Sequence, residues 1–139
     1  MIVEEQTISS DKIYTGRVIS LRVDTVEVPQ KGYKKREIVE HPGAVAILAI
    51  TPENKVVLVK QFRKAIEKAI WELPAGKLEP YENPKDCAIR ELQEETGYIA
   101  KNIKLIHKFY TSAGFSNQRM YIYLLLKDPR QGNLQQLTH

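Results

Sequence analysis

One segment constrains this chain more than any other: Gly76-Lys-Leu-Glu-Pro-Tyr-Glu82-Asn-Pro-Lys-Asp-Cys-Ala-Ile-Arg90-Glu91-Leu92-Gln-Glu94-Glu95-Thr-Gly97-Tyr98. Pro84 suits the first position of a helix and Gly97 the residue just past its end, so a single helix is predicted between them. Glu91, Glu94 and Glu95 then stand at i, i+3 and i+4, on one face and close enough to repel one another. They also crowd the last turns, where the helix dipole disfavours negative charge. A helix shaped by stability alone would not be built this way. Clustered carboxylate oxygens suit a hard divalent cation, Mg²⁺ or Mn²⁺, as the missing partner. A solvated acidic face is the plainer account of a charge run, but it gives no reason for the glycines or the spacing.

On the helical wheel Ala88, Ile89 and Leu92 make an apolar stripe, with Glu95 at its border and Glu91 and Glu94 beside it. The acids therefore belong at the rim of the core-facing surface, where a cleft can hold them. Cys87, the single cysteine, lies within this helix and reads as a small packing residue. It excludes an intrachain disulfide and fits a reducing compartment.

With 139 residues the chain suits one domain-sized core. An apolar fraction of 42% and a charged fraction of 27% are those of an ordinary globular protein. No apolar run is long enough to span a bilayer and no signal-peptide pattern opens the chain, so a cytoplasmic protein without a membrane partner is expected. The net charge of +4 raises nucleic acid as a partner. Yet Lys34-Lys35-Arg36 is the one basic run and no aromatic-rich RNA motif accompanies it. A small phosphorylated ligand makes equal use of surplus positive charge, and a small-molecule nucleotide rather than nucleic acid is expected.

Short strands are predicted at Lys12–Tyr14, Val18–Val28 and Lys35–Glu40. Ala44–Ile50 is a continuous apolar run suited to a strand covered on both faces. Across the Pro52–Lys55 turn, Val56–Phe62 is expected to return along it as a hairpin. Ile70–Leu73 is a further short strand, followed by a loop at Pro74-Ala75-Gly76. Ile103–Tyr110 and Met120–Leu126 supply two more. Residues 127–139 show neither helical nor strand period.

The spacing G-x5-E-x7-R-E-U-x-E-E-x-G-U, with U a bulky apolar residue, resembles the Nudix box, matched at Gly76, Glu82, Arg90, Glu91, Glu94, Glu95 and Gly97. The likeness extends over about residues 14 to 126. Arg36-Glu37-Ile-Val-Glu-His41-Pro-Gly43, Lys60-Gln61-Phe62-Arg63, Glu72-Leu-Pro-Ala75-Gly76 and Phe109-Tyr-Thr-Ser112-Ala-Gly114-Phe115-Ser are similar to the ADP-ribose pyrophosphatase branch. The resemblance implies an α/β/α sandwich around a mixed β-sheet, with an N-terminal β-sheet extension. It implies strands in residues 1–40 that serve dimerisation and a core over 41–126, whereas residues 127–139, from their lack of any period, are expected to be an irregular tail in place of the family's C-terminal part. It also implies a homodimer, a Mg²⁺ requirement with Mn²⁺ as substitute, and hydrolysis of ADP-ribose to AMP and ribose 5-phosphate.

Carried over residue by residue, Glu91 and Glu95 resemble the principal metal ligands. Glu94 is a third, and the Ala75 carbonyl a fourth. The same glutamates are the candidate catalytic groups. Arg90 and Glu82 resemble the pair that orients this face, with Gly76 and Gly97 as structural glycines. Arg63 resembles an arginine that meets substrate. Arg36 and Glu37 resemble residues that reach it from a partner subunit, and Gly114 lies in the family's substrate loop. His41, before Pro42-Gly43, reads as a structural hydrogen-bonding residue.

Three departures stand out. Ala113 occupies a family proline position, Asn117-Gln118 replaces an acidic pair, and no acid cluster or amphipathic helix follows Leu126. The family's acidic loop, a source of a catalytic glutamate, has no counterpart there. Three readings therefore stand: an ADP-ribose pyrophosphatase, a nucleotide-binding module of the same fold with little turnover, or a hydrolase of other nucleotide sugars or nucleoside triphosphates.

Overall fold

The computed structural model describes residues 1–126 and the backbone of residues 134–136. The chain divides into two compact units. One comprises Met1–Pro42 with Tyr110–Arg119, the other Gly43–Phe109 with the chain from Met120 onward.

In the first unit β1 (Gln6–Thr15), β2 (Ser20–Val28) and β3 (Gly32–Glu40) form an antiparallel sheet in that order. The β2–β3 turn uses Gln30 and Gly32 at positive φ, 67° and 81°. Asp24, buried in β2, accepts hydrogen bonds from Ser10 and Arg22, so its charge is answered within the sheet. Residues 112–117 are laced to β3: Val39 N–H donates to Phe115 O at 2.7 Å, and Asn117 N–H returns to Val39 O at 3.2 Å.

The second unit holds the core. β4 (Ala44–Ile50) lies between β7 (Ala75–Lys77), antiparallel to it, and β10 (Arg119–Leu126), parallel to it, with β9 (Lys104–Tyr110) beyond β10. This mixed sheet carries α1 (Pro84–Thr96), the one α-helix among the described residues. Val45, Ile47 and Ala49 of β4 meet Cys87, Ala88 and Leu92 of α1 and Tyr123 and Leu125 of β10 in one buried cluster. Cys87 is thus a core residue, and burial pushes its thiol up to about 12, which leaves it protonated and unreactive at neutral pH.

The hairpin expected between Ala44–Ile50 and Val56–Phe62 forms only at its tip, where Thr51 N–H donates to Lys55 O at 2.8 Å and Val57 N–H to Ala49 O at 3.0 Å. β7 holds the Ala44–Ala46 part of that edge of β4, so only its far end is left for the returning chain, with an isolated bridge between Ile50 and Val56. The strand that follows, β5 (Val59–Arg63), pairs instead with β6 (Lys68–Glu72). The loop expected at Ala75–Gly76 is strand β7, short but paired with the sheet centre. Part of the stretch read as irregular is also ordered: β11 (Leu134–Gln136) runs antiparallel to β8 (Tyr98–Ala100). The remainder of that reading, over residues 127–133 and 137–139, lies outside the described residues. No helix among the described residues is long and apolar enough to cross a membrane.

Candidate functional site

Helix α1 is set by its ends. Asn83 caps it by accepting from the Lys85 N–H at 2.9 Å, with Pro84 in the first turn. Gly97 closes it in the left-handed region, φ 77°, its N–H returning to Gln93 O at 2.8 Å. The loop before the helix is pinned by Glu82, whose N–H reaches Glu79 O at 3.0 Å and whose carboxylate accepts from the Glu79 N–H at 3.1 Å. Tyr81, between them, is fully exposed and sits at φ 63°.

Arg90 organises the acidic face. Its Nε and Nη2 donate to the two oxygens of Glu82 at 3.0 and 2.9 Å, a fork geometry that lysine could not supply. Its Nη1 reaches Glu91 at 3.0 Å and Glu94 at 3.3 Å. The guanidinium holds the Glu82 carboxyl down to about 2. Burial pushes Glu91 the other way. The neighbouring charges of Glu94 and Glu95 add to that rise, while Arg90 opposes it. Glu91 is inset so deeply that a Cβ on Gly76 would lie 2.0 Å from its Cδ and 2.3 Å from its Oε1. Gly76 is glycine because Glu91 fills the space a side chain would need.

Glu95 is gripped separately. Its Oε2 accepts from the Ala75 N–H at 3.1 Å and its Oε1 from Gln61 Nε2 at 3.2 Å. Arg63, two residues along β5 from Gln61, donates to Glu72 at 2.7 Å and feels the charge of Glu95 as well. The repulsion expected among the three glutamates is therefore partly answered within the chain, by Arg90 for Glu91 and Glu94 and by two N–H donors for Glu95. Among the described residues no three acidic, histidine or cysteine side chains converge as a closed metal cluster. The donor set still fits a hard divalent cation. All three side chains are carboxylates, and Gly76 leaves one of them a cradle beside the Ala75 strand.

A second feature belongs to the first unit. A cavity of about 820 Å³ is lined by Arg22, Arg36, Glu37, Gly114, Phe115 and Asn117, among others. Arg36 is braced by Glu5, at 2.9 and 2.6 Å, and Arg22 by Asp24 and Glu40. Asn117, at the position of a family acid, plays a structural part, its Oδ1 accepting the His41 N–H at 3.0 Å. The structure thus gathers Arg36, Glu37 and Gly114 around one cavity, whereas Arg63 lies in the second unit with Glu72. Glu5 and Arg22 escape a reading of the sequence, and Gln61 and Glu72, though they stand in segments that resemble the family, receive no role from it. For Gln61 a further signal is at hand, since alternation in a strand places it on the face of Arg63.

The NUDIX domain model matches residues 40–139. The chain is 54% identical over 121 residues to an ADP-ribose pyrophosphatase of Bacillus subtilis, covering 87% of this chain and 65% of that protein. It is 52% identical, with the same coverage, to a methanol dehydrogenase activator of Bacillus methanolicus. The chain therefore spans a little under two thirds of the length of these relatives. A crystal structure of an ADP compounds hydrolase superposes with a TM-score of 0.81 over 98% of this chain and 71% of that one, at 18% identity, a likeness of fold.

Proposed function

Because the chain belongs to the Nudix family, we propose that it hydrolyses a nucleoside diphosphate derivative, ADP-ribose foremost, to AMP and ribose 5-phosphate. The observation that carries this reading is the inset Glu91. A carboxylate pressed against Gly76, desolvated and flanked by Glu94 and Glu95, is costly for a fold to keep unless the site uses it. Glu91, Glu94, Glu95 and the carbonyl of Ala75 would hold the divalent cation, Mg²⁺ or Mn²⁺. When bound, such an ion supplies positive charge to diphosphate oxygens and lowers the pKa of a water.

The chain's own residues do the remaining work. Arg90, fixed by Glu82, orients Glu91 and Glu94. Glu94 is the most exposed of the three, its side chain 57% accessible, and is the acid available to take a proton from water. Arg36, braced by Glu5, presents a guanidinium edge suited to a phosphate or a base plane. Glu37 and Gly114 line the same cavity. The relatives named as ADP-ribose pyrophosphatases support this choice of substrate.

The same reading takes the protein as a cytoplasmic homodimer. The one buried, unpaired cysteine supports a reducing compartment. β1, every residue of which is exposed and which leaves Ile8, Ile13 and Tyr14 more than half accessible, supports residues 1–40 as the dimer contact. A panel of ADP-ribose, other nucleoside diphosphate sugars and nucleoside triphosphates, with and without Mg²⁺ and with products identified, tests the proposal. Release of AMP and ribose 5-phosphate only with metal is expected. Binding of ADP-ribose without turnover would identify a binding module instead.

A further inference from the structure

We infer that Gln61 is a positioning residue that sets the Glu95 carboxylate for the divalent cation; the inference rests on the metal-dependent reading above. The two oxygens of Glu95 are held from two different strands. Oε2 takes the backbone N–H of Ala75 in β7, and Oε1 takes Gln61 Nε2 in β5. A backbone donor and a side-chain donor on opposite ends of one carboxylate fix its plane and leave its remaining lone pairs in defined directions. Pairing within the hairpin keeps Gln61 on this face. Opposite residues share a side, so Gln61, Ile70, Arg63 and Glu72 lie together, while Lys60, Phe62 and Trp71 lie on the other. That other face is open, with Phe62 60% and Trp71 63% exposed and the Lys60 ammonium 5.5 Å from the Trp71 ring centre. The hairpin thus turns one polar face inward to the box helix and one aromatic face outward.

The chemistry of Gln61 is specific. Its amide is neutral, so it can orient Glu95 without neutralising it and without competing for the cation. An arginine or lysine at 61 would consume the charge the metal needs, and an acid would repel Glu95. Arg63, whose charge is engaged by Glu72, sits on the same face and leaves Glu95 to the neutral donor.

The test is Mn²⁺ binding to the full chain by calorimetry, with no nucleotide present. Gln61→Met keeps the side-chain length and removes the donor; Gln61→Asn keeps an amide that is too short to span the 3.2 Å contact. Each is expected to bind Mn²⁺ about 10- to 100-fold more weakly, as loss of a partner that orients a metal ligand typically does. Phe62→Ala, on the opposite face, is expected to bind as the wild type does. Unchanged Mn²⁺ affinity in either folded Gln61 variant overturns the inference while leaving the metal-dependent reading intact. Equal weakening by Phe62→Ala also overturns it, by showing that any disturbance of the hairpin suffices. A wild-type chain that takes up no Mn²⁺ overturns both.

Discussion

The Cδ of Glu91 lies 2.0 Å from where a Cβ on Gly76 would stand. The two residues occupy one volume between them, and the glycine in β7 is a condition for the carboxylate in α1. Gly76→Ala is therefore expected to evict Glu91 rather than break the strand. Its effect on stability should be small, because the far end of a flexible side chain yields first. Hydrolysis with metal is expected to fall about 10²-fold or more, the scale of an ångström's misplacement at a reacting centre. Circular dichroism beside a steady-state assay decides it; full activity in the alanine variant would show that Glu91 need not occupy its cradle.

Glu95→Gln is expected to cost both activity and some stability. The amide that replaces one oxygen presents N–H groups to either the Ala75 N–H or the Gln61 amide, so one donor loses its acceptor. About 1 kcal/mol of destabilisation follows, together with loss of most metal-dependent turnover. Urea unfolding without metal reads the first effect. A variant as stable as the wild type would mean that neither hydrogen bond contributes.

The Glu82–Arg90 pair gives a pH dependence with a definite sign. The Glu82 carboxyl is held from its ordinary 4.5 down to about 2, so its contribution to stability is complete above the ordinary value. It is lost as the pH falls from there toward about 2. Glu82→Gln is expected to lower stability by about 1 to 3 kcal/mol at neutral pH. It should also flatten the dependence of unfolding free energy on pH in that acid window. Parallel curves for variant and wild type would assign the acid response elsewhere.

Tyr81 holds φ 63° while its side chain stands entirely in solvent. No packing offsets the strain, and a glycine adopts this conformation freely. Tyr81→Gly is expected to stabilise the protein by about 1 kcal/mol, with the Glu79–Glu82 turn unchanged. A lower unfolding midpoint would show that the exposed ring contributes a contact not seen in the isolated chain.

How much of this is legible in the sequence depends on the range of the interaction. The helix over 84–96 is readable because its signals are local: Pro84 at one end, Gly97 at the other, and a stripe through Ala88 and Leu92. The acidic face is readable for the same reason, since i, i+3 and i+4 spacing fixes it. The partner of Val59–Phe62 is not, because proximity in sequence favours Ala44–Ile50 while β7 occupies the Ala44–Ala46 part of that edge and β6 takes β5. Nor are the groups that hold the glutamates. Gln61 and the Ala75 N–H reach Glu95 across the fold from other strands, and Glu5 reaches Arg36 from the other end of its sheet unit.

Strand β4 pairs in parallel with β10, Ala44 against Met120 and Ile50 against Leu126. On the ribosome the box helix and the β7 edge emerge well before the strand that closes the other side of β4. During that interval the most apolar run of the chain offers an unpaired hydrogen-bonding edge. The yield of folded protein in a cell is then a race between synthesis of β10 and association of nascent chains through Ala44–Ile50. Slower translation or higher expression lengthens the odds against folding without altering a single contact of the finished site.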